Sequence, residues 1–324
     1  MLTDRANAIC LLEILREYSD AEHILPMRDV LSKMNTIYYL KLDRRTVYSA
    51  VALLIDLGYD VSVYEENGIG YYLRSRQLEE PEILLLTDAV YSFPFIPAKQ
   101  SEQLIAKLQK QLSTYQRRQY RHLTIVRQDR KTDNRQVFWN TERPGKAITQ
   151  KRKVSFTYLE YGFDKKLQPR RKKPYVVNPY GMVYMNEHYY LICNLDGYPN
   201  TSLYRIDRIK DIKISEDSAD ASRNFEYETK NATYAFAGKP EQITMYCDKI
   251  ILNDVLDKFG TDIHIQEQEG KTFSVSFIAS PHGIEFWALQ YLPYVEVIEP
   301  KWLRDKIIES VKKNQYVSLN SVKN

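Results

Sequence analysis

The sequence predicts an α+β multidomain fold, and three observations carry that prediction. Apolar residues recur at helical spacing from residue 8 to residue 55, short β-type alternation with Gly and Pro spacers runs from about 135 to 216, and residues 241–324 alternate strand and helix. At 324 residues the chain also exceeds the ~250 at which single cores stop growing. We expect boundaries at 1–75, 76–134 (a helical linker), 135–216, 217–240 (a connector) and 241–324.

Ala8, Leu11, Leu12, Leu15 and Tyr18 fit one face of a first helix. Pro26 is placed to open a second, with Met27, Val30, Leu31, Met34 and Ile37 as its inward stripe. Asp43 stands at an N-cap position, Val47, Val51, Leu54 and Ile55 follow as a buried face, and Gly58 is placed to end the third helix in a left-handed conformation. The opposite face of this helix begins with Arg44, Arg45, Tyr48 and Ser49. Two short strands, 61–64 and 69–73, flank the turn Glu65-Glu66-Asn67-Gly68, an Asn-Gly hairpin signal. Three helices and a hairpin resemble the winged helix-turn-helix of bacterial regulators that read duplex DNA. The resemblance places Arg44, Arg45, Tyr48, Ser49 and Asn67 at the DNA, since the start of a recognition helix meets base edges and phosphates in the major groove. The acidic pair Glu65-Glu66 would repel phosphate, which argues against deep insertion of the wing, and such trihelical modules also serve as protein–protein adaptors.

Residues 77–123 are rich in Leu, Gln, Glu and Lys, with a stripe at Leu104, Ile105, Leu108 and Leu112 and an interruption at Phe93-Pro94-Phe95-Ile96-Pro97. They predict a helical linker able to pair with a second copy.

Alternation then marks strands at 154–158, 173–177, 180–185, 188–193, 202–206 and 209–214, a spacing that implies a small barrel. Within it, His188-Tyr189-Tyr190-Leu191, the strand Tyr204-Arg205-Ile206-Asp207-Arg208-Ile209 and the upstream Asn178-Pro179-Tyr180-Gly181 resemble the motifs of the WYL domain of bacterial transcriptional regulators. The resemblance spans residues 135–216 and implies an Sm-like five-stranded barrel sensing a nucleotide or nucleic-acid ligand. The residues it marks are Tyr158, Tyr180, His188, Tyr189, Arg205 and Arg208. Tyr189 stands where the family's Trp-Tyr-Leu tripeptide has tryptophan, which keeps an aromatic face and removes the indole N–H. Arg170 and Arg171, in the run Arg170-Arg171-Lys172-Lys173, could extend the same surface. Arginine forks suit phosphate and aromatic faces stack on bases. Arg205 could instead be a structural partner of Asp207 or another carboxylate.

Beyond the connector the order is strand 242–247, helix 250–259, strand 263–268, strand 272–279, helix 284–292, strand 295–298 and helix 302–312: a ferredoxin-like βαββαβ layout plus a helix. It resembles the C-terminal extension that follows WYL domains, with dimer contact as the implied role. Ser280-Pro281 reads as a helix cap and first-turn proline.

Net charge is +4, yet residues 117–173 hold 18 Lys/Arg against 5 Asp/Glu, or +13, an asymmetry that suits an anionic partner. Cys10, Cys193 and Cys247 are isolated and read as small buried thiols. His23, His122, His188, His264 and His282 have no metal-ligand spacing, and no Gly-rich phosphate loop or nucleophile elbow occurs. We expect no metal and no cofactor, and we expect a regulator rather than an enzyme. No apolar run approaches the ~18 residues of a membrane span, so a cytoplasmic location is expected. The expectation is therefore a homodimeric regulator, repressor favoured over activator, that binds a double-stranded operator and answers to a nucleotide or single-stranded nucleic-acid effector. The alternative is a single-strand-binding accessory protein assisting a defence or repair system.

Overall fold

The computed structural model describes residues 4–119, 130–198, 200–220, 239–268 and 270–315. It divides into two compact units, Met1–Asp133 and Asn134–Asn324. Both mix helix and sheet, as an α+β multidomain chain should. Of the expected features, His122, the end of the linker and most of the 217–240 connector lie outside the described residues.

In the first unit, α1 (Asp4–Tyr18), α2 (Met27–Tyr38) and α3 (Arg44–Asp56) close around Leu11, Ile14, Leu15, Val30, Met34, Val47, Val51 and Leu54, all at most 4% exposed. Asp43 caps α3 by accepting from the Thr46 N–H at 2.8 Å, and Gly58 follows its end at φ +88°, a conformation that costs a side chain dearly. Two residues leave the expected stripes. Ile55 is 45% exposed and Ile37 39%, because Ile55 is turned ~100° from Leu54 on the helix and Ile37 lies in the last turn of α2, next to the left-handed Tyr39.

The hairpin is shorter than expected. Strands β1 (Val61–Ser62) and β2 (Tyr72–Leu73) pair antiparallel, and a single helical turn, α4 (Tyr64–Asn67), replaces the tight Asn-Gly turn. Leu25 bridges Tyr71, so close that a Cβ on Gly70 would lie 2.1 Å from the Leu25 carbonyl oxygen. Helices α5 (Glu80–Ser92), α6 (Ala98–Gln109) and α7 (Thr114–Gln119) belong to the same unit rather than standing apart from it. Arg76 ties them to α1 by donating to the carbonyls of Ser19 (2.7 Å) and Gln111 (2.8 Å).

The second unit opens with a helix the alternation did not predict, α8 (Val137–Thr149), which carries Pro144 in its interior. Strands β3 (Arg152–Tyr161), β4 (Leu167–Pro169), β5 (Tyr175–Met185), β6 (His188–Leu195) and β7 (Thr201–Arg205) run antiparallel in the order β4-β3-β5-β6-β7, and β8 (Ile209–Ser218) pairs with β3 to curl the sheet. The two expected strands around residue 178 are one, β5, bent by a bulge between Pro179 and Gly181. Inside the curl, Phe156, Tyr158, Tyr175 and Tyr204 stack in mutual ring contact.

A second sheet, order β10-β11-β9-β12, comprises β9 (Glu241–Asp248), β10 (His264–Glu267), β11 (Thr272–Ala279) and β12 (Val295–Glu299). Helices α9 (Leu252–Phe259), α10 (Pro281–Gln290) and α11 (Lys301–Lys312) contribute Val255, Trp287 and Leu303 to a core with Ile243, Met245, Cys247, Phe273 and Val275. Ser280 occupies the N-cap of α10, but its buried hydroxyl makes no cap bond. Cys193 and Cys247 are buried free thiols, while Cys10 is only partly buried.

Candidate functional site

Between β7 and β8 the chain makes one 3-10 turn, Ile206–Arg208. Two asparagines hold it. The Asn140 amide, fully buried on α8, donates to the carbonyls of Ile206 (3.1 Å) and Ile209 (2.6 Å), and the Asn134 amide donates to those of Asp207 (2.8 Å) and Ile209 (2.7 Å). Buried carbonyls at a strand break need such partners, so the turn is fixed by side chains reaching back from the start of the unit. On it, Asp207 is buried and receives both arms of Arg205. Arg205 thus makes the pairing with Asp207 that was weighed as its alternative to a ligand contact.

Arg208, one residue on, has no carboxylate partner among the described residues. Its Nε is buried without a hydrogen bond, and its guanidinium carbon lies 5.5 Å from the ring centre of Tyr161, an exposed residue at the end of β3. On β6, His188 and Tyr190 share a face by strand alternation, and Tyr190 stands directly opposite Arg205. The His188 Nδ1 is also buried and unpartnered. Burial pulls the His188 pKa below its ordinary value, and the Arg205 charge reinforces the shift, so the ring is neutral at pH 7. Burial raises the hydroxyl pKa of Tyr158 and of Tyr190. The Tyr158 hydroxyl accepts from the Arg205 N–H at 3.3 Å.

The structure therefore gathers Tyr158, His188, Arg205 and Arg208 in one place and adds Tyr190 and Tyr161, which sequence reading missed. The signal for Tyr190 was its i, i+2 spacing from His188. Four other expected ligand residues are elsewhere. Tyr180 is buried and donates to Asn194 Oδ1 at 2.7 Å. Tyr189 points to the opposite face of β6 from His188, across from Tyr184. Arg170 faces Glu160 at 3.4 Å. Arg171 caps the carbonyls of Lys173 and Pro174, with its guanidinium 3.5 Å from the Tyr175 ring centre.

In the first unit, Arg44, Arg45, Tyr48 and Ser49 are all exposed along the first turns of α3, and neither arginine forms a salt bridge among the described residues. Asn67 differs. Its amide makes five hydrogen bonds within its own loop, donating to Ser62 Oγ and the Val63 and Gly70 carbonyls and accepting from the Ile69 and Gly70 N–H groups. It is committed to shaping the loop. Glu66, the acid expected at the loop tip, is paired with Arg74.

Family comparison matches the WYL domain to residues 145–214, the stretch that contains the turn, its arginines and the strands that frame them. Residues 145–214 form a WYL domain. The WCX domain matches residues 249–313, which hold α9 to α11 and three of the four strands of the second sheet. A comparison with curated proteins finds no match. Among solved structures, similarity extends to proteasome accessory factor B/C (PafBC) of Arthrobacter aurescens, at 12% identity and TM-score 0.27 over 96% of this chain and 48% of that one. It extends also to a CRISPR Cas-related protein, at 12% identity and TM-score 0.35 over 98% of this chain and 86% of that one. The chain spans about half the length of the former. Among the described residues, no helix is long and apolar enough to cross a membrane.

Proposed function

We propose that the chain is a DNA-binding transcriptional regulator that acts as a homodimer in the cytoplasm, with the WYL domain as its effector receptor. In this reading α1 to α3 and the β1–β2 pair form a winged helix-turn-helix, the curled sheet is an Sm-like barrel, and the second sheet, whose strands in chain order lie 2-3-1-4, is ferredoxin-like and serves dimerisation. It needs no cofactor and catalyses no reaction.

One observation carries the reading: Arg208 keeps a buried, unpartnered Nε beside the unpartnered His188 Nδ1 and the exposed Tyr161 ring. Unsatisfied buried donors are costly, and a guanidinium fork next to an aromatic face suits a phosphate joined to a base. Exposed Arg44 and Arg45 at the start of α3 supply the second half, a cationic entry to a duplex. A ligand can shift such a regulator only through different affinities for its two states. Repression is the favoured direction.

The test selects duplexes from random DNA with the purified chain and identifies co-purified nucleotides or oligonucleotides by mass. Enrichment of an inverted repeat supports the reading. Tight single-strand binding with no enriched duplex overturns it in favour of an accessory role.

A further inference from the structure

Near the far end of α3 from Arg44, a cavity of ≈ 210 Å³ lies between Gly58 and Tyr59, the strand exit at Ser75 and Arg76, and the end of α6 at Lys110 and Gln111, with Arg16 of α1 completing it. It has three cations in its lining and no carboxylate. Arg76 is partly buried, and burial pulls its pKa below the ordinary arginine value. Its hydrogen bonds go to two backbone carbonyls, Ser19 and Gln111; Asp20 and Glu17 act on it only at a distance, and among the described residues no carboxylate forms a salt bridge with it or with Lys110. Arg16 donates to the exposed Glu13 at 2.9 Å, and its guanidinium carbon lies 5.8 Å from the centre of the Tyr59 ring.

From this we infer that the cavity is a second binding site, for a small free anion carrying a phosphate or carboxylate group. Three cations converging on a cavity whose lining holds no carboxylate favour an anion, and charge-assisted bonds to it are roughly twice as strong as neutral ones. The backbone of an operator is a poor source of that phosphate, because the thirteen residues of α3 put the cavity about 20 Å along the helix from Arg44. An anion there would tie the end of α3 to the end of α6 and so stiffen the unit that carries the DNA-facing residues. The site is independent of Arg208.

The probe is inorganic phosphate, titrated into the full chain at constant ionic strength and followed by calorimetry and thermal unfolding. Four proteins are compared: wild type, Arg208→Gln, Arg16→Gln/Lys110→Gln, and Lys110→Glu. The last alters one exposed, unpaired side chain and leaves the fold intact. One phosphate should bind per Arg208→Gln chain, with affinity at least about tenfold weaker in the double variant and in Lys110→Glu. Equal binding in all four proteins, or loss in Arg208→Gln alone, overturns the assignment. Competition between phosphate and a short duplex in Arg208→Gln overturns the choice of a free anion by making the cavity part of the DNA contact.

Discussion

Arg205 grips Asp207 with two parallel hydrogen bonds, Nε to Oδ1 at 3.1 Å and Nη2 to Oδ2 at 2.7 Å. The pair braces the 3-10 turn, with the aspartate side chain 6% exposed and the arginine 21%. That leaves Arg208 as the arginine free to meet a ligand. Asp207→Ala should therefore destabilise the second unit by about 2–3 kcal/mol, somewhat below the cost of breaking a fully buried pair. Denaturant unfolding of this unit is the measurement. A loss under about 0.5 kcal/mol would show that the pair is ornamental to the fold.

Asn140 offers a second route to the same turn. With its amide buried on the Ile206 and Ile209 carbonyls, Asn140→Ala strips the Ile206 carbonyl of its side-chain donor, leaves Ile209 with Asn134 alone, and should cost about 1–3 kcal/mol. Hydrogen exchange should speed up through Ile206–Arg208 first. Uniform exchange across the unit with no local change would contradict the role assigned to this side chain.

His188 sets a pH dependence. Its pKa in the folded chain is depressed, chiefly by burial, below the unfolded value of about 6.5. The unfolded state therefore binds the proton first, and the stability linked to the neutral ring is present above about pH 6.5 and lost as pH falls through the folded pKa. A protonated ring adds a positive charge beside Arg208, so phosphate-bearing ligands should bind more tightly as pH falls through the depressed pKa of His188. His188→Gln should flatten both trends. A titration in which the variant keeps the wild-type slope removes His188 from the site.

At the other unit, Arg44→Ala/Arg45→Ala should weaken duplex binding for all sequences. If each arginine neutralises one phosphate, the slope of log affinity against log salt should fall by about 1.8. Affinity measured across a salt series decides this, and an unchanged slope would take the start of α3 off the DNA.

Much of this was legible in the residues. Asp43, Gly58 and the 3–4 spacing of Leu11, Leu15, Val47, Val51 and Leu54 fix the three N-terminal helices, because caps and periodicity are local signals. Strand alternation located β3 and β6 for the same reason. Helix α8 was hidden by Pro144 and Gly145, which disfavour helix locally and are outweighed by the packing of Val137 and Ala147, at most 1% exposed. The candidate site was only half legible. The resemblance to the WYL motifs marked His188 and Arg208, but whether Arg205 faced a ligand or Asp207 depended on a turn held by Asn134 and Asn140, more than 60 residues away in sequence. Tyr180 and Tyr189 carry the right chemistry, but strand alternation and the Asn194 contact direct them elsewhere. Asn67 looked available only because its loop was read as a hairpin turn.

The central claim is that a ligand held at Arg208 changes the grip on DNA, and one measurement addresses it directly. Duplex affinity is determined for wild type and Arg208→Gln, each with and without nucleotides and short single-stranded oligonucleotides. We predict that at least one of these shifts wild-type affinity about tenfold or more, while Arg208→Gln binds the duplex normally and shifts less than about twofold. A variant that responds as fully as wild type would contradict the account.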